Sequence, residues 1–421
     1  MRSLLLLPLA FTLACRPKAD TDTPADTDTD SGDPTTAAWN YLVYMDGDNN
    51  LEDYVTHDLN ELESGGTNPG VNVLVLADRI DDYASDDGDW TGSRYYQILG
   101  DDDDEVVSSP VIQDLGEVNM AAPKTLAEFL DWASTNYPAD HTALVMWDHG
   151  SGWDLTGTDT ATETYGPPAP PSIAEDDTSG GATMSVAEGD LAKGLEAWVA
   201  AHGRLDLIGF DACNMASWEV AYALSPYSRT MTAAETTVGW EGYRYDQVLQ
   251  ALGADTSMPA ADLADEMVRT EVEGGEWSAS AVDLDKVVGL AGQIDGLALT
   301  LMAQEDAGQF AWNERNNMEG ADEYWGWYFM DLGSLTGVVG NRNAELAAQA
   351  GAVEAALNEA LISNYTNEPY QDLSGLSIFF DPRNAEWDDL YANGEGATWS
   401  VDTHWDDYVL GIDTSAIMTV N

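Results

Sequence analysis

Short apolar runs alternate with amphipathic segments from residue 39 onward, and this rhythm constrains the fold more than any other feature of the chain. WNYLVYMD (39–46), VNVLVLAD (71–78), TALVMW (142–147) and LDLIGF (205–210) read as buried strands, with YYQIL (95–99) and RTMTAAE (229–235) as further strands. Helical segments separate them: one carrying Leu51, Tyr54, Leu59 and Leu62, then TLAEFLDWAST (125–135), 187–201 and 215–224. The repeated alternation predicts an α/β fold, a mostly parallel sheet with helices on both faces. Beyond about residue 240 the pattern turns helical, with candidates at 260–273, 285–305 and 343–363. Two late apolar segments, WSASAVDL (277–284) and GLSIFFDP (375–382), are expected to extend the sheet, and no internal repeat is evident.

The ends of the strands carry the chemistry. Cys213 lies just past LDLIGF in LDLIGFDACNM (205–215), and His149 holds the equivalent place past TALVMW in TALVMWDHGSGW (142–153). If those strands are parallel neighbours, thiol and imidazole emerge on the same rim of the sheet, where open α/β folds place their sites. A thiol of ordinary pKa is only a few per cent thiolate at pH 7, so a nucleophilic cysteine needs an imidazole beside it. His149 is the only good candidate: His57 falls in a surface helix, His141 precedes its strand, His202 sits in a turn beside Gly203, and His404 lies near the C-terminus. The residues alone leave the opposing reading open, since an isolated cysteine is more often a buried core residue.

The N-terminal stretch MRSLLLLPLAFTLAC (1–15) has one basic residue, Arg2, and an apolar run too short to span a bilayer, and it reads as an export signal. Cys15 resembles the lipid-acceptor cysteine of bacterial lipoproteins, although Thr12 and Leu13 stand where the usual pattern has Leu and a small residue. Ordinary secretion is the alternative, and either reading takes the mature protein out of the cytoplasm. Residues 16–37, rich in Asp, Thr and Pro, cannot bury enough surface to fold and form an acidic tether. A catalytic core at 38–285 and a helical C-terminal part at 286–421, returning a strand to the core, complete the expected organisation. With 15 Lys and Arg against 76 Asp and Glu, the net charge of −61 argues against nucleic acid and anionic membranes as partners. It favours cationic substrates or divalent cations, though solvation alone accounts for most such surfaces.

Four segments, YMDGDNNLE (44–52), DHGSGW (148–153), FDACNMA (210–216) and GLSIFF (375–380), resemble in order and spacing the clostripain family of cysteine peptidases. That family shares the caspase-like fold with caspases, gingipains and legumain. The resemblance implies a caspase-like three-layer sandwich and a cysteine endopeptidase acting on polypeptides. It further implies a catalytic dyad of His149 and Cys213, with Gly150 and the backbone N–H of Cys213 as oxyanion donors. Two such donors would supply the largest electrostatic contribution to acyl transfer. Relatives usually cut after Arg or Lys, which assigns Asp211 to the substrate pocket; its rival role is capping the helix near Met215. Glu235 and Glu241 are candidates for a second acidic wall, with Arg244 between them and the next helix as an opposing cation.

Many relatives activate by cutting themselves after a basic residue between histidine and cysteine, yet no Lys or Arg occurs from Gly150 to Ala192. The enzyme is therefore expected to work as a single chain or to be cut by another protease within 152–185. No cofactor is required for the chemistry. Calcium is a weaker expectation: DGDNNLED (46–53) alternates hard oxygen ligands, with Asp46 and Asp48 as candidates, but lacks the ligand order of an EF-hand loop. A zinc site is not expected without a Cys or His cluster. The rival function is a catalytically inactive surface module of the same fold that binds peptides or cations.

Overall fold

The computed structural model describes residues 36–412, apart from 82, 102, 104, 154–171, 305, 307, 321–327 and 382–384. The chain divides at Thr35, and all of these residues belong to the compact unit beginning at Thr36. The first strands are β1 (Ala37–Gly47), β2 (Val71–Arg79), β3 (Ser93–Gln97), β4 (Val111–Gly116) and β5 (Ala139–Trp147). After them come β6 (Ile173–Asp176), β7 (Ala182–Met184), β8 (Leu205–Asp211), β9 (Ser228–Ala233), β10 (Ser278–Asp283), β11 (Phe329–Asp331), β12 (Leu361–Thr366) and β13 (Ser377–Phe379). Nine of these form one sheet in the order β12-β10-β9-β8-β5-β1-β2-β3-β4. Its five central strands are parallel, and each edge is finished by antiparallel strands.

Side chains alternate across each central strand, as the two-residue period requires. On β1, Leu42 and Tyr44 enter one core, while Trp39, Tyr41, Val43 and Met45 enter the other. Helices α1 (Glu52–Ser64), α2 (Pro123–Asn136), α3 (Asp190–His202), α4 (Trp218–Leu224), α5 (Tyr245–Ala254), α6 (Ala260–Gly274) and α7 (Leu284–Met302) cover the faces. The second core is closed by α1, α5 and α6 through Val55, Leu59, Leu62, Val248, Leu252, Leu263 and Met267. The first is closed by α2, α3, α4 and α7 through Phe129, Leu195, Val220 and Leu290. The result is a three-layer sandwich.

Strand order reverses at β1, because β2 is added on one side of it and β5 on the other. Such a reversal leaves a crevice beyond the carboxyl ends of the strands. Downstream the sequence pattern needs two corrections. The expected helix at 343–363 ends at Ala360, and LISNYT pairs with β10 as the edge strand β12; its Ile, Tyr and Thr favour a half-buried pleat. GLSIFF does not extend the main sheet: β13 pairs with β11 in a separate two-strand ribbon. That ribbon packs behind the histidine turn, where the ring of buried Trp153 meets Phe379 edge-on at 5.3 Å.

Candidate active site

Strands β5 and β8 are parallel neighbours with Trp147 paired to Asp211, so His149 and Cys213 each stand two residues past a matched pair of strand ends. The histidine turn is braced from β1. Asp148 is buried and accepts the Asn49 side-chain amide at 2.8 Å and the Glu175 backbone N–H. His149 Nε2 lies 3.0 Å from Asn50 Oδ1. With that oxygen as acceptor, Nε2 carries the proton and Nδ1 is the basic nitrogen. Burial lowers the His149 pKa, with Asp177 pulling the other way, which favours the neutral ring.

Past β8 the chain turns through Asn214, whose φ of 58° is left-handed, a conformation Asn tolerates better than most residues. Asn214 donates its backbone N–H to Thr236 O at 2.9 Å and its side-chain amide to Glu235 O at 2.7 Å, which ties the cysteine turn to the loop after β9. Cys213 is half-buried, and the Val238 N–H points at its sulfur from 3.3 Å. A donor there favours the thiolate. Gly150 packs directly on this turn: a β-carbon would collide with the Cys213 carbonyl and lie 2.9 Å from Cys213 N. Only glycine lets the two turns approach so closely.

A cavity of about 260 Å3 opens beside the two turns. His149, Cys213, Asp211, Asp58, Trp147 and Gly242 are among its lining residues, and Tyr54 and Trp240 stack at its edge with centroids 4.6 Å apart. Asp211 accepts the Tyr245 hydroxyl at 2.8 Å and the Tyr243 N–H at 3.2 Å, and burial pushes its pKa up to about 6. The helix-capping role falls instead to Ser217, which accepts the Val220 N–H at the start of α4. Arg244 does not line the cavity, because Glu61 engages its Nε at 3.1 Å.

The two glutamates fare differently. Glu241 is exposed on the loop that borders the cavity without lining it. Glu235 is buried and receives the Gly375 N–H at 2.6 Å, so it fastens the segment before β13 and does not form a pocket wall. The reason is local: the Glu235 carbonyl and its neighbours Ala234 and Thr236 face the cysteine turn, which directs the side chain away. Asp58 was not expected. It sits on α1 beside the buried Val55, Leu59 and Leu62, and a carboxylate on that apolar stripe is the signal that could have revealed it.

Asp46 and Asp48 separate in the fold. Asp46 accepts the Asp48 N–H at 3.1 Å and braces its own turn. Asp48 joins Asp78, Glu117 and Asp176 in a cluster whose carboxylate oxygens lie within 4.8 Å of one another. The cluster thus draws its carboxylates from four segments rather than from the run 46–53. Cys15, residues 16–35 of the expected tether and most of the 152–185 segment lie outside the described residues, whereas Ala37, expected to end the tether, already begins β1.

A mostly parallel sheet between two helical layers, with a cysteine and a histidine past the adjacent carboxyl ends of β8 and β5, on the side of β1 where β5 is added, defines an α/β protein of caspase-like architecture. The chain belongs to the clostripain family, which it matches over residues 43–413. It is 29% identical over 231 residues to clostripain of Hathewaya histolytica, a match that covers 51% of this chain and 42% of that protein. The chain thus spans under half the length of that curated relative. Its fold is similar to a secreted C11 cysteine protease from Bacteroides thetaiotaomicron in complex with an irreversible peptide inhibitor, with TM-score 0.66 and 20% identity over 88% of this chain and 100% of that one. An inactive zymogen C11 protease from Parabacteroides distasonis is similar with TM-score 0.64 and 21% identity, covering 90% and 99%.

Proposed function

We propose that the chain is an extracytoplasmic cysteine endopeptidase that cuts polypeptides after Arg or Lys, held to a bacterial membrane by lipid on Cys15. The observation that carries this reading is one cavity bounded by the Cys213 thiol, the His149 ring and the Asp211 carboxylate. Asp211 receives the basic side chain preceding the scissile bond. His149 Nδ1 takes the Cys213 proton, the sulfur attacks the peptide carbonyl, and the Gly150 and Cys213 N–H groups stabilise the oxyanion. The protonated imidazole then gives its proton to the leaving amine, and the thioester remains. Water, deprotonated by His149, hydrolyses that acyl-enzyme and restores the thiol. The enzyme works as a single chain or is cut by another protease, since the 150–192 segment offers no basic residue for self-cleavage.

The same reading includes a hard divalent cation, calcium by its ligand chemistry, at Asp48, Asp78, Glu117 and Asp176. The residues fit: all four donors are carboxylate oxygens, and buried Asp48 Oδ2 has no hydrogen-bond partner. Their span suits an ion with ligands at about 2.3–2.6 Å. Its contribution is to neutralise the cluster and hold the ends of β1, β2 and β6 together, outside the chemical steps.

The decisive test is cleavage of a peptide library varied at the residue before the scissile bond by residues 16–421 and by the Cys213→Ala form. Cleavage after Arg or Lys that vanishes in the variant is expected. Cleavage after other residues would discard the basic pocket, and equal rates in both forms would discard the nucleophile.

A further inference from the structure

The acidic pocket has a second carboxylate that neither glutamate candidate supplies. Asp58 is 4% exposed on the core-facing side of α1, where an ionised side chain is costly unless its oxygens are engaged. One is: Asp58 Oδ2 accepts the Trp147 indole N–H at 2.5 Å. The other, Oδ1, is buried with no hydrogen-bond partner, and the residue lines the cavity together with Asp211. Burial first and the neighbouring Asp211 second push the Asp58 carboxyl well above its ordinary range. Among the described lining residues there is no Lys or Arg to offset the pair, Arg244 being held by Glu61. Such a pair is relieved when a cation enters, because an opposite charge within a few ångströms favours the ionised form of both acids.

We propose that Asp58 is a specificity-determining residue, the second acidic wall of the pocket, and that with Asp211 it engages the basic side chain of the substrate. This rests on the reading that the cavity receives the residue before the scissile bond. The indole N–H fixes one oxygen of Asp58 and leaves the other for the ligand. A guanidinium carries donors in a planar fork and bonds two carboxylates at once, and it keeps its charge when desolvated.

Peptides identical except for arginine or citrulline before the scissile bond test this, citrulline being the uncharged shape-mimic of arginine. Asp58→Asn retains an acceptor for the Trp147 N–H and removes the charge. Its arginine-to-citrulline ratio of kcat/KM is expected to fall about ten- to hundredfold. Asp58→Glu keeps the charge and should retain preference for arginine over citrulline. Two results overturn the proposal: an unchanged ratio in Asp58→Asn, or the same loss in Asp58→Glu, which would mean that the residue only supports packing. Asp211→Asn separates the two levels of inference. If it abolishes the preference and Asp58→Asn does not, the basic pocket stands and Asp58 is merely structural. If the wild type shows no preference for arginine over citrulline, the pocket reading falls and the proposal with it. Melting temperatures and labelling of Cys213 by a peptidyl inhibitor with citrulline before its warhead verify that each variant is folded with a reactive thiol.

Discussion

At the scale of single residues, the proposed catalytic histidine rests on side chains that hold its ring and its turn in place. Asn50 Oδ1 sets the His149 tautomer, and Asp148, held by Asn49 and the Glu175 N–H, positions the turn beneath it. Asn50→Ala removes the acceptor and leaves the ring free to rotate. It is expected to lower kcat about ten- to hundredfold with little change in KM, measured on the best basic peptide; an unaltered kcat would eliminate Asn50 as the orienting group. The motif around Asn50 is visible in the sequence as DGDNN, yet reads there as turn carboxylates and cation ligands. Its contact with His149 joins residues 99 apart in the chain, and no periodicity within either segment reports it.

At the scale of elements, parallel strands β1, β5 and β8 bring three loops to one rim, and the separation of Asp46 from Asp48 happens there. Asp46 is still on β1, paired with Asp78 in register, whereas Asp48 lies past the strand end and reaches the cluster with Asp176. If the cluster holds calcium, millimolar calcium should raise the melting temperature by about 5 °C over a chelator-treated sample. Asp176→Asn should abolish that shift, and a wild type indifferent to calcium would rule the site out. Alternation across strands and the spacing of apolar residues on helices were enough to identify the central strands and α1, α2 and α3. The fates of GLSIFF and LISNYT were not readable, because whether an apolar run joins the main sheet or a side ribbon depends on which edge is already covered.

At the scale of the whole molecule, a net charge of −61 sets the solution behaviour. Buried acids in the folded chain hold their protons more tightly than in the unfolded one: Asp211 is raised to about 6, Glu219 to about 7 and Glu61 to about 8, in each case by burial first. Raised folded-state values mean that the folded form binds more protons, so the stability they contribute is complete below about pH 4 and is lost as pH rises through 6 to 8. Self-repulsion among ionised surface acids acts in the same direction. The melting temperature should therefore be higher at pH 5.5 than at pH 8, and added salt should narrow the gap by screening the surface component; a higher value at pH 8 would refute this account. The sequence by itself determined the α/β class, the central strands and the two turns that present His149 and Cys213, because those depend on local apolar period and turn chemistry. Only the tertiary structure decided that Asp58 joins Asp211, that Glu235 turns away to Gly375, and that Asp48 meets Asp78, Glu117 and Asp176. Each of those is a meeting of residues from separate segments, created when strand order and helix packing close the sandwich, and no local pattern in the chain encodes it.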